Sequence, residues 1–330
     1  MSLLSDARRV SFLPSLLTLG NFSCGFLSIV FCLNALYYDT LAKASQMAGT
    51  SVRILAPEDV DEGNALVHPP IPEADDYARR AARLLRLACY MIFLGMCFDV
   101  LDGRVARMTG TESRFGGELD SLADSATFGI APGAVMATFW VQIRPDEKSW
   151  WGQVMIFGLV YAACAALRLA RYNVETGGDR NYFKGLPSPA AAGCVASAAL
   201  VCVSGYPSLT AAWDAMAGMW GTMAGWFGMR GDTRGDVWMV RMLALYTLAI
   251  GLLMVSRFRF VHFANRYIGG RRRFTSLVLA VFALALLWKY PVLTLFAAFN
   301  GYVVVCLAAH VYLRARAKRQ TPGTGDAPVQ

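Results

Sequence analysis

Eight long apolar stretches constrain this chain more than any other feature of its sequence. They lie near residues 13–37, 84–101, 119–140, 150–170, 188–204, 238–256, 275–289 and 291–313. A helix of about 20 apolar residues crosses a bilayer and satisfies its backbone hydrogen bonds internally. Of all residues, 56% are hydrophobic and 16% are charged, whereas soluble domains carry about a quarter charged residues. We therefore expect an all-α polytopic membrane protein with about eight transmembrane helices.

The segments between the apolar stretches differ in character. Residues 1–12 are expected to form a cytoplasmic or interfacial N-terminus, and residues 39–78 are polar, with prolines and acids, as in an outer loop. In 207–237, Trp, Met and Phe recur every three or four residues, which favours an amphipathic helix in the outer interface. The segment 314–330 is expected to be a disordered cytoplasmic tail.

Basic residues predict the orientation. If the N-terminus is cytoplasmic, 19 of the 31 Lys and Arg residues lie inside, as the positive-inside rule favours. Arg79, Arg80, Arg83 and Arg86 would lie outside, but seven nearby acids offset them. The net charge of +8 then forms an inner collar facing anionic membrane lipids. Nucleic acid is a poor partner, because the bases flank apolar spans and form no single surface. The prediction is an integral protein of a cytoplasmic or inner membrane.

An acidic pattern occupies the end of the second stretch and the start of the third. It reads Asp99-x-x-Asp102-Gly103-x-x-Ala106-Arg107, then eight residues, Gly116, three residues, Asp120, three residues and Asp124. Residues three or four apart share a helix face, so each pair of acids can point at the space between two helices. An ionised Asp in a membrane segment is costly and usually functional. Four such oxygen donors suit Mg²⁺ or Mn²⁺.

The other specified residues of the pattern suit a phosphorylated ligand. Gly103 and Gly116 let a bulky group approach the backbone, and Ala106 leaves similar room. Arg107 carries a planar guanidinium suited to phosphate oxygens. Any one Asp or Arg at a helix end could instead form an ordinary interfacial ion pair.

The complete pattern resembles the signature of the CDP-alcohol phosphatidyltransferases at every specified position. The resemblance implies a membrane enzyme in which an alcohol hydroxyl attacks the β-phosphorus of a CDP-linked lipid and CMP is released. It implies that Asp99, Asp102 and Asp120 ligate one or two divalent metals, and that Asp124 contributes to the metal site, acts as the general base, or both. It also implies that Gly103, Ala106, Arg107 and Gly116 line the pocket for cytidine and diphosphate, at an active site facing the cytoplasm.

Further stretches resemble the membrane-integral phosphatidylserine synthases within this family. They are Pro14 to Asn21 with Gly25, Glu118 to Pro132, Leu167 to Asn173, Phe183 to Pro189 and Leu253 to Ser256. The resemblance implies a six-helix catalytic core over 13–260, two additional C-terminal helices within 261–313 and a homodimer. It implies CDP-diacylglycerol and L-serine as substrates. Arg168, Arg171 and Lys184 are the candidate contacts for the acceptor or phosphate, with Asn21 and Thr18 as possible diphosphate contacts.

Three alternatives stay open at this point. The same chemistry could use another acceptor, such as glycerol 3-phosphate, an inositol phosphate or choline. A cation or solute transporter also places acids in a membrane, but commonly near its middle and in broken helices. A non-catalytic scaffold would leave the four acids and the glycines unexplained. For Arg168, Arg171 and Lys184, a plain inner-end basic residue is an equal alternative.

Overall fold

The chain folds into a bundle of helices with one small pair of strands. The computed structural model describes residues 12–55, 74–110, 113–143, 148–174, 182–204, 235–256, 258–261 and 273–320. The helices are α1 (Phe12–Leu55), α2 (Ala74–Thr109), α3 (Arg114–Asp124), a π-helical segment (Ser125–Ile130), α4 (Ala131–Ile143), α5 (Lys148–Val174), α6 (Ser188–Val203), α7 (Gly235–Val255), α8 (Arg273–Lys289) and α9 (Pro291–Gln320). The strands are β1 (Tyr182–Lys184) and β2 (Arg259–Val261).

The apolar stretches of the sequence all fall on helices. Within the described residues, four segments are long and apolar enough to cross a membrane: Leu13–Met47 of α1, Ala74–Thr109 (α2), Met155–Val174 of α5 and Pro291–His310 of α9. At most 33% of the residues in these spans are buried, and Leu159 and Val304 are 69% and 65% exposed. A bundle that faces lipid carries such an apolar exterior. The count of eight spans stays a prediction.

The predicted outer loop at 39–78 is wrong in its extent. α1 continues to Leu55 and α2 begins at Ala74, so part of this polar segment is helical. Asp39 and Lys43 form an ion pair one turn apart on α1. The ammonium group of Lys43 also lies 3.3 Å from the carbonyl oxygen of Val141 near the end of α4. Polar residues thus extend α1 because they pair along it and interact with a neighbouring helix end.

Three other predicted segments lie only partly within the described residues. Residues 314–320, assigned to a disordered tail, belong to α9, because the helix continues past its apolar part. Residues 321–330 lie outside the described part. The same holds for 207–234 of the predicted interfacial helix and for residues 1–11 of the N-terminal segment.

The core surrounds α6, a helix of small residues. Every residue from Ala191 to Val201 on α6 is buried, and α2, α4, α5, α7 and α9 all pack against it. At Gly193, an added Cβ would lie 2.3 Å from the ring of Phe299 on α9, so the missing side chain sets the distance between these helices. Lipid tails are as apolar as the side chains of these helices, so the hydrophobic effect does not drive helices together in a membrane. Close packing between small residues contributes to their association instead.

A second close crossing brings α5 against α4. An added Cβ on Gly133 would lie 3.0 Å from the carbonyl oxygen of Gly158, and one on Gly158 would lie 3.2 Å from that of Gly133. The two backbones therefore touch at this point. The crossing fixes where the following turns of α5, with Tyr161 and Arg168, meet the rest of the bundle.

One small pair of strands accompanies the helices of this all-α bundle. β1 and β2 are antiparallel, with Phe183 opposite Phe260. Gly185 follows β1 with φ +85, and its amide donates to the carbonyl of Phe258 at 2.8 Å. A side chain here would collide with the carbonyl oxygen of Met254 at 2.1 Å. The strands pair because short connections between helices still need partners for their backbone groups.

Candidate active site

Three aspartates converge where α2 approaches α3. Asp99 lies on α2, and Asp120 and Asp124 lie one turn apart on α3. One carboxylate oxygen from each lies within 4.8 Å of the others. Asp124 is 8% exposed, and the other two are partly buried. The structure therefore brings three of the four predicted carboxylates to one place.

The fourth acid, Asp102, lies beside this group without joining it. Its side chain is 5% exposed, and its Oδ2 atom has no hydrogen-bond partner among the described residues. Thr18 on α1 lies near this carboxylate, and its hydroxyl donates to the carbonyl oxygen of Pro14 at 3.0 Å. Its contact with a diphosphate stays a prediction. Asp102 remains close enough to act electrostatically on Asp120 and Asp124.

The local sequence explains the turn that connects the two acidic pairs. α2 ends at Thr109, and Gly110 follows with φ +61, a conformation that favours glycine at a helix end. α3 then begins with Ser113 as its N-cap, whose hydroxyl oxygen accepts the amide of Gly116 at 3.0 Å. A Cβ on Gly116 would lie 3.2 Å from that oxygen. Gly116 therefore has a local role in the cap.

The charge balance of the cluster favours a cation. In the described part of the chain, the ion pairs are Lys43 with Asp39 and Arg79 with Asp76, so none neutralises the four acids. Asp120 Oδ1 and Asp102 Oδ2 are buried without a hydrogen-bond partner there. A buried carboxylate oxygen without a partner is costly. The donor set, all carboxylate oxygen, fits a hard divalent cation such as Mg²⁺ or Mn²⁺.

Arg168 on α5 faces the acids from the other side. Its guanidinium acts electrostatically on Asp99 and Asp124, and Nη1 donates to the hydroxyl of Ser188 at 2.7 Å. Ser188 is the first residue of α6 and is fully buried. The contact between Ser188 and Arg168 was not predicted, because it depends on the packing of α6 on α5.

The other basic candidates differ from Arg168. Arg171 Nη1 donates to the carbonyl oxygen of Val255 at 3.2 Å, which ties the end of α5 to the end of α7. Lys184 lies in β1, and its side chain is outside the described part. Their contacts with an acceptor stay predictions.

The predicted nucleotide contacts lie on an open surface of α2. An added Cβ at Gly103 would meet only Arg107 Nη2, at 3.8 Å. The side chain of Arg107 is exposed, and its Nε donates to the carbonyl of Gly103 at 2.7 Å. Ala106 is partly buried. Only the Nε of Arg107 is engaged by Gly103, and the contacts of these residues with a nucleotide stay predictions.

Asn21 on α1 has a direct role in the cluster. Its side chain is fully buried, and Nδ2 donates to Asp124 Oδ1 at 3.1 Å. The contact of Asn21 with a diphosphate, which the sequence suggested, stays a prediction. Hydrogen bonds to a charged group are worth about 1.5–3 kcal/mol, so Asn21 restrains the direction of Asp124.

The region that contains the four aspartates is similar to a known protein family. The site is a carboxylate cluster in a bundle of apolar helices. The model of the CDP-alcohol phosphatidyltransferase family matches residues 81–228, which include all four aspartates. This part of the chain is therefore similar to the CDP-alcohol phosphatidyltransferases.

Curated relatives agree over part of their length. The chain is 44% identical over 110 residues to the CDP-diacylglycerol–serine O-phosphatidyltransferase of Saccharomyces cerevisiae, covering 31% of this chain and 37% of that protein. It is 42% identical over 108 residues to the enzyme of the same name from Helicobacter pylori, covering 32% and 43%. It is 40% identical over 115 residues to the archaetidylserine synthase of Methanothermobacter thermautotrophicus, covering 34% and 46%. The chain thus spans less than half the length of the relatives it matches.

Proposed function

We propose that this protein transfers a phosphatidyl group from CDP-diacylglycerol to the hydroxyl of L-serine, giving phosphatidylserine and CMP. The proposal rests on one observation: carboxylate oxygens of Asp99, Asp120 and Asp124 lie within 4.8 Å of one another. These three residues belong to the motif in the matched region of the chain. The relatives named CDP-diacylglycerol–serine O-phosphatidyltransferase support serine as the acceptor. We also propose that the chain spans the membrane, with its N-terminus and the site on the cytoplasmic side.

The acids divide into metal ligands and a base. Asp99, Asp102 and Asp120 would hold one or two divalent cations, with Asp124 able to contribute. When bound, the cation stabilises negative charge on the diphosphate oxygens. The unpartnered oxygens of Asp102 and Asp120 support this division, because each has a lone pair ready for a ligand.

Asp124 is the proposed general base. Its Oδ1 accepts a hydrogen bond from Asn21, which leaves its second oxygen for the proton of the serine hydroxyl. The serine oxygen forms the new bond to the β-phosphorus, the bond from that phosphorus to CMP breaks, and the proton passes to Asp124. A weak nucleophile near neutral pH needs such a base.

Arg168 is the proposed anchor for the serine carboxylate. Its guanidinium faces the acids and is held by the hydroxyl of Ser188 at 2.7 Å. An arginine can bind a carboxylate through two parallel hydrogen bonds. Serine bound in this way would have its hydroxyl on the same side of the bundle as Asp124.

The deciding experiment is an acceptor screen with purified protein. CDP-diacylglycerol and Mn²⁺ are incubated with serine, glycerol 3-phosphate, an inositol phosphate or choline, and the lipid product is identified by mass spectrometry. We expect phosphatidylserine and equimolar CMP with serine alone. A product with another alcohol and none with serine would overturn the choice of acceptor. The absence of CMP with every alcohol would overturn the transferase activity.

Asp124→Asn is the matched variant for the base. The amide keeps the shape of the side chain and the oxygen that accepts from Asn21, but it cannot take a proton. We expect turnover to fall about 10²–10⁴-fold, with binding of CDP-diacylglycerol largely kept. Turnover near that of the unchanged protein would remove the base role from Asp124.

A further inference from the structure

A π-helical segment directly follows the proposed base. Ser125–Ile130 separates α3 from α4, and the amide of Ala131 bonds to the carbonyl of Ala126, five residues earlier. A π-turn carries one residue more than an α-turn and occurs often at functional sites. The sequence pattern gave no sign of it, because the apolar run 119–140 is also compatible with a regular α-helix.

The additional residue changes the direction of the acids. α4 is fixed in the core by buried side chains that include Val135, Met136 and Phe139. Each residue of an α-helix turns by about 100° and rises about 1.5 Å. With α4 held in place, a regular helix would rotate Asp120 and Asp124 by about 100° away from Asp99. Because of the π-segment, α4 can bury its apolar face in the core while α3 directs Asp120 and Asp124 toward Asp99.

Two hydroxyl groups from different helices hold the segment. Thr127 Oγ1 donates to the carbonyl oxygen of Asn21 on α1 at 2.9 Å. Tyr161 on α5 donates from its hydroxyl to the carbonyl oxygen of Phe128 at 3.1 Å. All four residues are buried with 0% exposure. Thr127 therefore holds the residue that bonds Asp124, and Tyr161 holds the wider turn itself.

We propose that the π-segment sets the direction of Asp120 and Asp124, and that Thr127 and Tyr161 are its positioning residues. The inference rests on the proposed function for its catalytic readout. Both hydroxyls donate to backbone carbonyls and not to the carboxylates. Thr127 acts on Asp124 through Asn21, and Tyr161 acts on it through the backbone of the π-segment.

The first test compares Tyr161→Phe with Tyr246→Phe. Both tyrosines hydrogen-bond across helices, but Tyr246 bonds to Asn300 on α9, outside the acidic cluster. We expect Tyr161→Phe to lower kcat about tenfold, with the KM for serine and for CDP-diacylglycerol changed less than about twofold, since small misplacements mainly cost the chemical step. Tyr246→Phe should leave both constants nearly unchanged. Equal kcat losses in the two variants would overturn the positioning role of Tyr161.

The second test uses Thr127→Val and Thr127→Ser. Valine keeps the volume and removes the hydroxyl, whereas serine keeps the hydroxyl. We expect valine to lower kcat about tenfold and serine to restore most of it. Ser28→Ala is the control, because Ser28 also donates to a buried carbonyl, that of Ala88 at 2.9 Å. Similar kcat losses in the valine and serine variants would contradict the role of the hydroxyl.

A readout without turnover separates this inference from the proposed function. The affinity for Mn²⁺, followed by electron paramagnetic resonance on protein in nanodiscs, reports the spacing of the carboxylates. We expect Thr127→Val and Tyr161→Phe each to weaken Mn²⁺ binding about threefold to tenfold, with no change in Tyr246→Phe. If the unchanged protein binds Mn²⁺ but releases no CMP, the proposed function fails while this comparison still stands. Unchanged affinity in both variants would overturn the inference.

Discussion

Gly95 on α2 is a position at which one added methyl group should disturb the site. A Cβ there would lie 2.5 Å from Thr127 Cγ2 and 2.9 Å from Asn21 Oδ1. An ordinary contact begins near 3.4 Å, so Gly95→Ala must separate α2 from the π-segment by about 0.9 Å, the difference between 3.4 and 2.5 Å. Thr127 cannot easily turn aside, because its hydroxyl bonds to Asn21.

The displacement should reach the acids. Asp99 lies one turn after Gly95 on α2, so it moves with that helix while Asp120 and Asp124 remain on α3. A misplacement of about 1 Å can cost about 10²-fold in rate, and overpacking typically costs about 1–3 kcal/mol in stability. We therefore expect Gly95→Ala to lower kcat by up to about 10²-fold, as well as the temperature of unfolding.

The assay is CMP release with serine, run beside thermal unfolding in detergent. Gly301→Ala on α9 is the control, because its Cβ would meet nothing within 4 Å. The double variant Gly95→Ala/Thr127→Ser removes the methyl group nearest the new Cβ and keeps the hydroxyl, so it should recover part of the lost activity. Gly95→Ala with unchanged activity and unfolding temperature would refute the reasoning, as would a double variant worse than the sum of the single ones.

Three further predictions concern the cation, the acceptor and the strand pair. Asp99→Ala should weaken Mn²⁺ binding at least about tenfold, measured by electron paramagnetic resonance; an unchanged affinity would remove Asp99 from the ligand set. Arg168→Lys keeps the charge but loses the planar fork, so the KM for serine should rise about tenfold or more while the KM for CDP-diacylglycerol stays constant; equal rises would argue against a serine contact. Gly185→Ala should lower the unfolding temperature more than Gly110→Ala, since both have positive φ but only Gly185 would also meet a carbonyl oxygen, at 2.1 Å; equal losses would show that the contact is not limiting.

Some features were predictable because they depend on neighbours in sequence. The helices at 84–101 and 291–313 follow from apolar length, and the boundary between the stretches 275–289 and 291–313 agrees with α8 ending at Lys289 and α9 beginning at Pro291. Proline suits the first position of a helix because it lacks an amide that would need a partner. The acidic pattern was also predictable, because its residues have helical spacing along α2 and α3.

Other features depend on contacts between distant residues. Nothing near Asn21 in the sequence indicates that its partner is Asp124, 103 residues away. The extension of α1 beyond residue 38 was missed because polar composition is also typical of loops, whereas Lys43 reaches across to the end of α4. The pairing of Arg168 with Ser188 depends on how α5 and α6 pack.

The amino-acid order by itself determined the apolar helices, the four acids and their spacing, because hydropathy and helical periodicity are local properties of a chain. Only the tertiary structure decided which acids meet, with Asp99, Asp120 and Asp124 together and Asp102 beside them. That outcome depends on two glycines, Gly25 and Gly95, whose missing side chains let α1 and α2 close on Thr127, and on one additional residue in the π-turn. Close packing and a local change of helical register act through three-dimensional distance, which a one-dimensional pattern does not contain.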